Sequence, residues 1–283
     1  MAKLTTGSIA IDHTSDAGYR VWVAAFLNAL DNVNPAILTR TSDTGQVNTS
    51  TITRPSTGTP DYAVYKFDDG IGAPLFLRFS FGTGNATTAP GMVFLIGTGT
   101  NGAGTLSGQL HAISGVWSGS NVAQLGPALA CVVPGHFSFM FGQGAFVTGT
   151  VGFGVAFSRS SDANGNPTGE GVHGMIKQNS NSSFSFFTSD IAGTLRLNTS
   201  QETQVSLGQV YARNTTAAGG VVKPMPVMYM TPDVRVATGL ISIDQTDVAM
   251  NAELQVAQVG STPRNYKVLG FCSTQKAYLT IWE

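Results

Sequence analysis

Residues 15–33, SDAGYRVWVAAFLNALDNV, constrain the fold most, because they are the one stretch that reads as a convincing helix. Tyr19, Trp22, Val23, Phe26, Leu27, Leu30 and Val33 recur at three- and four-residue spacing. At about 3.6 residues per turn they share one broad apolar stripe. Ser15 or Asp16 can accept from the free N–H groups of the first turn. Asn34-Pro35 ends the helix, since a residue before proline is pushed out of the helical region. A stripe holding Tyr, Trp and Phe must be covered. Nearly everything after residue 36 reads as strand and turn, so the expected cover is a β-sheet. A face that also docks on a neighbouring subunit is the alternative.

Only 11% of the residues are charged, 42% are hydrophobic and 34 of 283 are glycine. Ordinary soluble domains carry about 25% charge. A disordered chain would be poor in apolar residues and rich in charge, so this chain folds. Its surface is then Ser, Thr, Asn, Gln and Gly, which leave water at lower cost than ions do. Such a surface suits packing against other subunits or against sugars. The 15 Lys and Arg are scattered and the net charge is −1, which argues against neutralising the phosphates of a nucleic acid. MAKLTTGSIAI lacks the apolar run of a signal peptide, and no stretch approaches the roughly 20 apolar residues of a membrane span. Cys131 and Cys272 have apolar neighbours and are expected as buried free thiols of a reducing cytoplasm.

Along the chain, 8–11 is a short strand in an N-terminal arm, and after the helix 36–39 leads into TSDTGQVN. Asp43, Thr44 and Gly45 make a turn, and TSTITRPSTGTP reads as a strand followed by a loop. YAVYKF (62–67), the alternating LFLRFSF (75–81) and the wholly apolar MVFLI (92–96) are strands. The glycine-rich 97–108 has no Lys for a phosphate loop and opens no helix; Asn101-Gly102 makes it a hairpin turn. Beyond it, 137–141 and 147–157 are strands. In the second, one face is small, so that something can approach its backbone closely. Residues 158–171 read as a polar loop. Short, evenly spaced strands continue to the end, with prolines marking MPVMYM as an edge. The expected fold is mainly β: an N-terminal α+β unit, 1–110, with one amphipathic helix on a sheet, then an antiparallel β-sandwich or barrel-like region, 111–283.

Candidate chemistry is sparse. His13, His111, His136 and His173 have no metal-ligand spacing, and no G-x-S-x-G elbow is present. Asp68 and Asp69 are adjacent, which on a strand would point them to opposite faces. DANGN at 162–166 starts like a calcium loop, but Pro167 and His173 stand where Gly and Glu are needed. No catalytic residue, metal or cofactor is expected. Aromatics could stack on sugars if exposed; Trp117, Tyr229 and Tyr266 of the second region are the candidates for glycan contact. Tyr19, Trp22, Val23, Phe26, Leu27 and Leu30 are the candidates for a packing or assembly helix.

One run carries a family resemblance. Thr44-Gly45-Gln46, TITRP at 51–55, Phe67-Asp68-Asp69, PLFLRFSFGTG at 74–84 and IGTGTNGAGTL at 96–106 follow a helix in that order. This order resembles a pattern of virion structural proteins of tailed bacteriophages, with Arg78 standing where Lys is common; the closing LTIWE resembles it more loosely. The resemblance implies a non-enzymatic virion component, made in the host cytoplasm and most simply placed at the tail or baseplate. It would be homo-oligomeric and assembled with other virion proteins, without nucleic acid or membrane as partner. The alternatives are a module for a host receptor or surface glycan, and a capsid decoration protein.

Overall fold

The computed structural model describes residues 2–12, 15–54, 61–81, 91–116, 124–142, 152–162, 166–177, 184–191, 225–230, 235–244, 253–256, 264–272 and 276–283. The arm holds β1 (Lys3–Thr5) and β2 (Ile9–Ile11), followed by α1 (Asp16–Asn32). Next come β3 (Leu38–Arg40), β4 (Asp61–Phe67), β5 (Leu75–Phe81) and β6 (Gly91–Gly97). The short pair β7 (Gly99–Thr100) and β8 (Leu106–Ser107) precedes β9 (His111–Val116) and β10 (Gln124–Gly126). Then follow β11 (Ala128–Val133), β12 (His136–Gly142), β13 (Gly152–Ser161), β14 (Pro167–Lys177) and β15 (Phe184–Asp190). The last are β16 (Met225–Met230), β17 (Arg235–Asp244), β18 (Glu253–Val256), β19 (Arg264–Cys272) and β20 (Lys276–Ile281).

All described pairings are antiparallel. The first sheet has the order β3-β4-β5-β6-β9, the middle sheet β1-β11-β12-β13-β14-β15, and the third β16-β17-β20-β19-β18. The chain is mainly β, with one helix packed on sheet and no closed barrel among the described residues. β16 is an edge strand, the position that tolerates Pro226, which has no backbone N–H to donate to a ladder.

Helix α1 starts where expected: the Ser15 hydroxyl accepts from Gly18 N at 3.0 Å. It ends as Val33 N bonds Ala29 O and Asn34 turns to φ 45°, its side-chain amide donating to Val132 O at 2.8 Å. Tyr19, Trp22, Val23, Phe26, Leu27 and Leu30 are all at most 3% exposed. The stripe does not rest on one sheet alone. Phe26 meets Phe79 and Phe81 of the first sheet and Phe139 and Phe141 of the middle one, with centroids 4.6–5.4 Å apart. Elsewhere the two sheets touch directly, Phe67 lying against Phe137 and Phe157. One buried cluster therefore runs from Tyr19 to Phe187, with members on both sides of residue 110. Gly174 is needed inside it, because a Cβ there would meet Phe157 Cβ at 2.6 Å and Phe187 Cζ at 2.7 Å.

The opposite face of the middle sheet mixes small and polar side chains with Leu129 and Met140, and the third sheet covers it, with β17 across β13 and β14. This is the close approach that the small residues of 152–156 allow. Two expectations are corrected. Residues 158–171 are not a loop: β13 runs through Ser161 and β14 begins at Pro167. Of their polar side chains Ser158, Arg159 and Ser160 are buried, whereas Asp162, Asn166 and Glu170 are exposed around the turn between the two strands. Thr49, Ser50 and Thr51 form a turn and not a strand, closed by Thr51 N and Ile52 N on Asn48 O.

Candidate functional site

Residues from the motif segments far apart in sequence meet around Tyr62. The loop 41–48 follows β3 and lies along β4: Thr41 N bonds Val64 O, and Val47 N bonds Tyr62 O. Gln46 clamps it from within, donating to Thr41 O at 2.6 Å and accepting from Val64 N at 2.9 Å. The loop also grips the β7–β8 hairpin. Thr44 N bonds Gly102 O, and the buried Asp43 carboxylate accepts from the Thr100 hydroxyl and from Gly104 N. Burial raises the Asp43 pKa, but hydrogen bonds from Thr100, Thr41 and Gly104 outweigh it and hold the carboxyl below its ordinary value. Inside the hairpin, Asn101 Oδ1 accepts from Ala103 N and Thr105 N. Tyr62 joins both loops: its hydroxyl donates to Thr44 O at 2.5 Å, and its ring fills the space beside Gly104. Gly104 has φ +80°, and a Cβ there would meet ring atoms at 2.2 Å. On the same ring lies Arg78, its guanidinium 4.7 Å from the centroid.

The remaining motif residues are structural ties. Arg54 bonds Asp16 in the first turn of α1 through both its backbone N and Nε. Asp68 and Asp69 part company, as adjacent residues do. Asp68 is exposed and pairs with Lys66, whose hydrogen bond lowers its pKa. The Asp69 side chain is fully buried and takes a two-pronged contact from Arg159 at 2.7 and 2.8 Å. Gly135 N and Ile71 N also donate to Asp69, and Ala73 O accepts from Arg159. This pair spans the first and middle sheets.

The buried face under the third sheet holds the other polar cluster. His136, Ser158 and His173 stand in one cross-strand row on β12, β13 and β14. His136 Nδ1 lies 2.7 Å from Ser158 Oγ, and its Nε2 2.7 Å from Thr280 Oγ1 of the third sheet. Ser160 Oγ lies 2.7 Å from His173 Nε2. A serine beside a histidine is the arrangement of an activated nucleophile. Here burial pushes the imidazoles down to about 3 for His136 and about 4 for His173, too weak for a base near neutral pH. Ser158 and His136 are also 6% and 1% exposed, so no substrate reaches them.

Of the residues expected to touch sugars, Trp117 lies outside the described residues, and Tyr229 is on β16, described by its backbone course alone. Tyr266 is 5% exposed, paired between Leu254 and Ile281 on neighbouring strands, so no ring face is open to a sugar. Trp282 is buried under Lys267, whose Nζ is 4.6 Å from the ring centroid. His13 lies outside the described residues. Cys131 is a buried free thiol, raised to about 11 by burial. Asp162 accepts from Asn166 N and Nδ2, closing a turn on itself. Among the described residues no three His, Cys, Asp or Glu side chains gather as a metal site would require. No helix among them is long and apolar enough to cross a membrane. Sequence reasoning missed the Asp43 carboxylate and the Arg159 anchor. The signal for Asp43 was its place in a turn motif; nothing local marked Arg159.

Compared with protein-family models, curated proteins and solved structures, the chain matches none.

Proposed function

We propose that this chain is a non-enzymatic structural component of a tailed-phage virion, at the tail or baseplate, acting in multiple copies beside other virion proteins. The observation that carries the reading is the convergence on Tyr62. Residues of the segments that resemble virion structural proteins interlock there through Asp43, Thr44, Thr100, Gly104 and Arg78. Their hydrogen bonds are spent on holding loops, and the buried Asp43 carboxylate accepts from Thr100 and Gly104. A motif set used this way serves a rigid surface and not a reaction. The low charge, 11% of residues, supports the same reading, since an uncharged polar surface is cheap to bury in an assembly.

Mass spectrometry of purified particles tests it. The chain is expected in multiple copies per particle, remaining through density-gradient purification. Detection only in infected cells, and never in particles, would contradict the proposal.

A further inference from the structure

The imidazole of His136 bridges two layers of the molecule. It is 1% exposed, with Nδ1 2.7 Å from Ser158 Oγ on β13 of the middle sheet and Nε2 2.7 Å from Thr280 Oγ1 on β20 of the third. Two hydroxyls suit a neutral ring, which donates through one nitrogen and accepts through the other. A second tie between these sheets runs from Cys131 Sγ to Glu283 O at 3.6 Å. Among the described residues no carboxylate pairs with the ring. A charged imidazole is costly in such a place, because two hydroxyls replace neither bulk water nor a counter-ion.

The charged groups around it do not help. From the third sheet, Lys267 stands opposite Thr280 on the same face, buried, with its ammonium over Trp282 and bonded to Glu253 at 3.0 Å. Arg264 acts on His136 as a like charge and holds Glu283 at 3.2 Å. β17 carries Arg235 and Asp244 at its ends, Asp244 opposite Lys276 of β20. In the middle sheet, β11 places Val133 opposite His136 and Cys131 next on the same face, its thiol kept protonated by burial; Lys3 of β1 stands opposite Cys131. Arg159 of β13 is turned to the first sheet, where Asp69 takes it. β14 adds His173, and on β15 Asp190 stands opposite Gly171, three strands or about 14 Å from β12. A proton on His136 therefore puts a new charge beside cations, in a layer where Glu253 and Glu283 are already engaged.

We propose that His136 is an acid-released latch: protonation of its ring lifts the third sheet from the middle sheet, while α1, the first sheet and the middle sheet stay folded together. The other face of the middle sheet is joined to its neighbours by phenylalanine rings, which bind no proton, so acid weakens one interface before the other. A solvated imidazole binds its proton near 6.5 and the buried one near 3. The latch is thus closed above pH 6.5, and opening is favoured below it by up to about tenfold per pH unit. His173, 2.7 Å from Ser160 in the same layer, acts in the same direction. Opening uncovers Leu129, Cys131 and Met140, which are buried in the closed form. The inference goes beyond the virion reading and does not depend on it, because it concerns the isolated chain.

The test uses the full chain carrying Cys272→Ser, which leaves Cys131 as its one thiol. Cys131 is reacted with 4,4′-dithiodipyridine between pH 7 and pH 4.5, each rate being divided by that of glutathione at the same pH. Amide exchange on β20, β5 and α1 is followed in parallel and corrected for its intrinsic pH dependence. Cys131 reactivity and β20 exchange are expected to rise together by at least about tenfold over this range, while β5 and α1 stay protected. In His136→Gln the rise should shrink by at least about tenfold. The comparison of β20 with β5 in the parent chain stands even if that variant folds poorly. An unchanged Cys131 rate, loss of protection on β5 and α1 together with β20, or an undiminished rise in a folded His136→Gln chain would overturn the proposal.

Discussion

On the side of the middle sheet that faces the first sheet, Phe137, Phe139, Phe141 and Phe157 are fully buried against other aromatic rings and α1. On the side that faces the third sheet, the same strands present His136, Ser138, Ser158 and Ser160. Both faces are buried; the first is aromatic, whereas the second mixes these polar groups with Leu129, Cys131, Met140 and Ala156. The first draws its stability from area removed from water, with edge-to-face ring contacts adding about 0.5–1.5 kcal/mol each. The second contributes little net energy per hydrogen bond, but it is costly to leave incomplete. Ser138 Oγ is one group there without a protein partner among the described residues. The comparison teaches that an aromatic interface fixes how strongly layers adhere, whereas the polar one fixes which groups must face each other.

Breaking the aromatic side should have the largest effect. Phe26→Ala removes a ring that touches both sheets, and large core truncations cost about 3–5 kcal/mol. The melting temperature of the purified chain should fall by well over about 2 °C. A smaller shift would mean that the helix is not part of the shared core.

The buried ion pair sharpens the comparison, because it lies on the aromatic side. Asp69→Ala leaves Arg159 charged and buried, which costs about 3–5 kcal/mol. Asp69→Leu combined with Arg159→Met removes the stranded charge, and this double variant should be more stable than Asp69→Ala in chemical denaturation. If it is not, the pair is not the tie between the sheets described above.

The polar side should respond to pH. The two imidazoles titrate near 6.5 when unfolded, and near 3 and 4 when folded. Below pH 6.5 the unfolded chain therefore binds more protons, so stability falls as pH drops and the histidine contribution levels off below about pH 3. Between pH 6.5 and 4.5 the carboxylates with lowered pKa add little, and Asp61, raised by burial, works in the opposite direction, so a fall in stability in this window is carried by histidines. His136→Gln should flatten the dependence, and an unchanged slope would show that His136 does not carry it.

These differences mark what could be read from the residues. The helix was legible because its spacing, its Ser15 cap and Asn34-Pro35 all agree; β5 was legible from its apolar alternation, β4 from its density of strand-favouring residues and β6 because it is apolar throughout. Ser158, Arg159 and Ser160 were illegible as strand. Hydrophobic patterning equates polar with solvated, and here a serine faces each histidine inside the molecule. Asp68-Asp69 reads as a turn after a strand, where carboxylates are usually solvated; Asp69 is buried instead, beside an Arg159 partner that lies 90 residues away and that only the fold brings near. The glycine hairpin was recognised as a turn. That it closes over Asp43 could not be read, since 61 residues separate Asp43 from Gly104.

The smallest expected effect is at the loops. Gly104→Ala meets both the Tyr62 ring and a positive φ, so about 1–3 kcal/mol is expected. Tyr62→Phe deletes one hydrogen bond to Thr44 O, at about 1 kcal/mol. Hydrogen exchange at Gly102 and Gly104 should rise in both variants while the sheet amides stay protected. Loss of protection across the sheets would show that the loops belong to the core.

A cryo-EM map of the particle tests the central claim most directly. The account predicts repeated, symmetry-related density for the first and middle sheets with α1 between them, fitting as one rigid unit at the tail or baseplate. A particle map at side-chain resolution that leaves no density for this chain would contradict it.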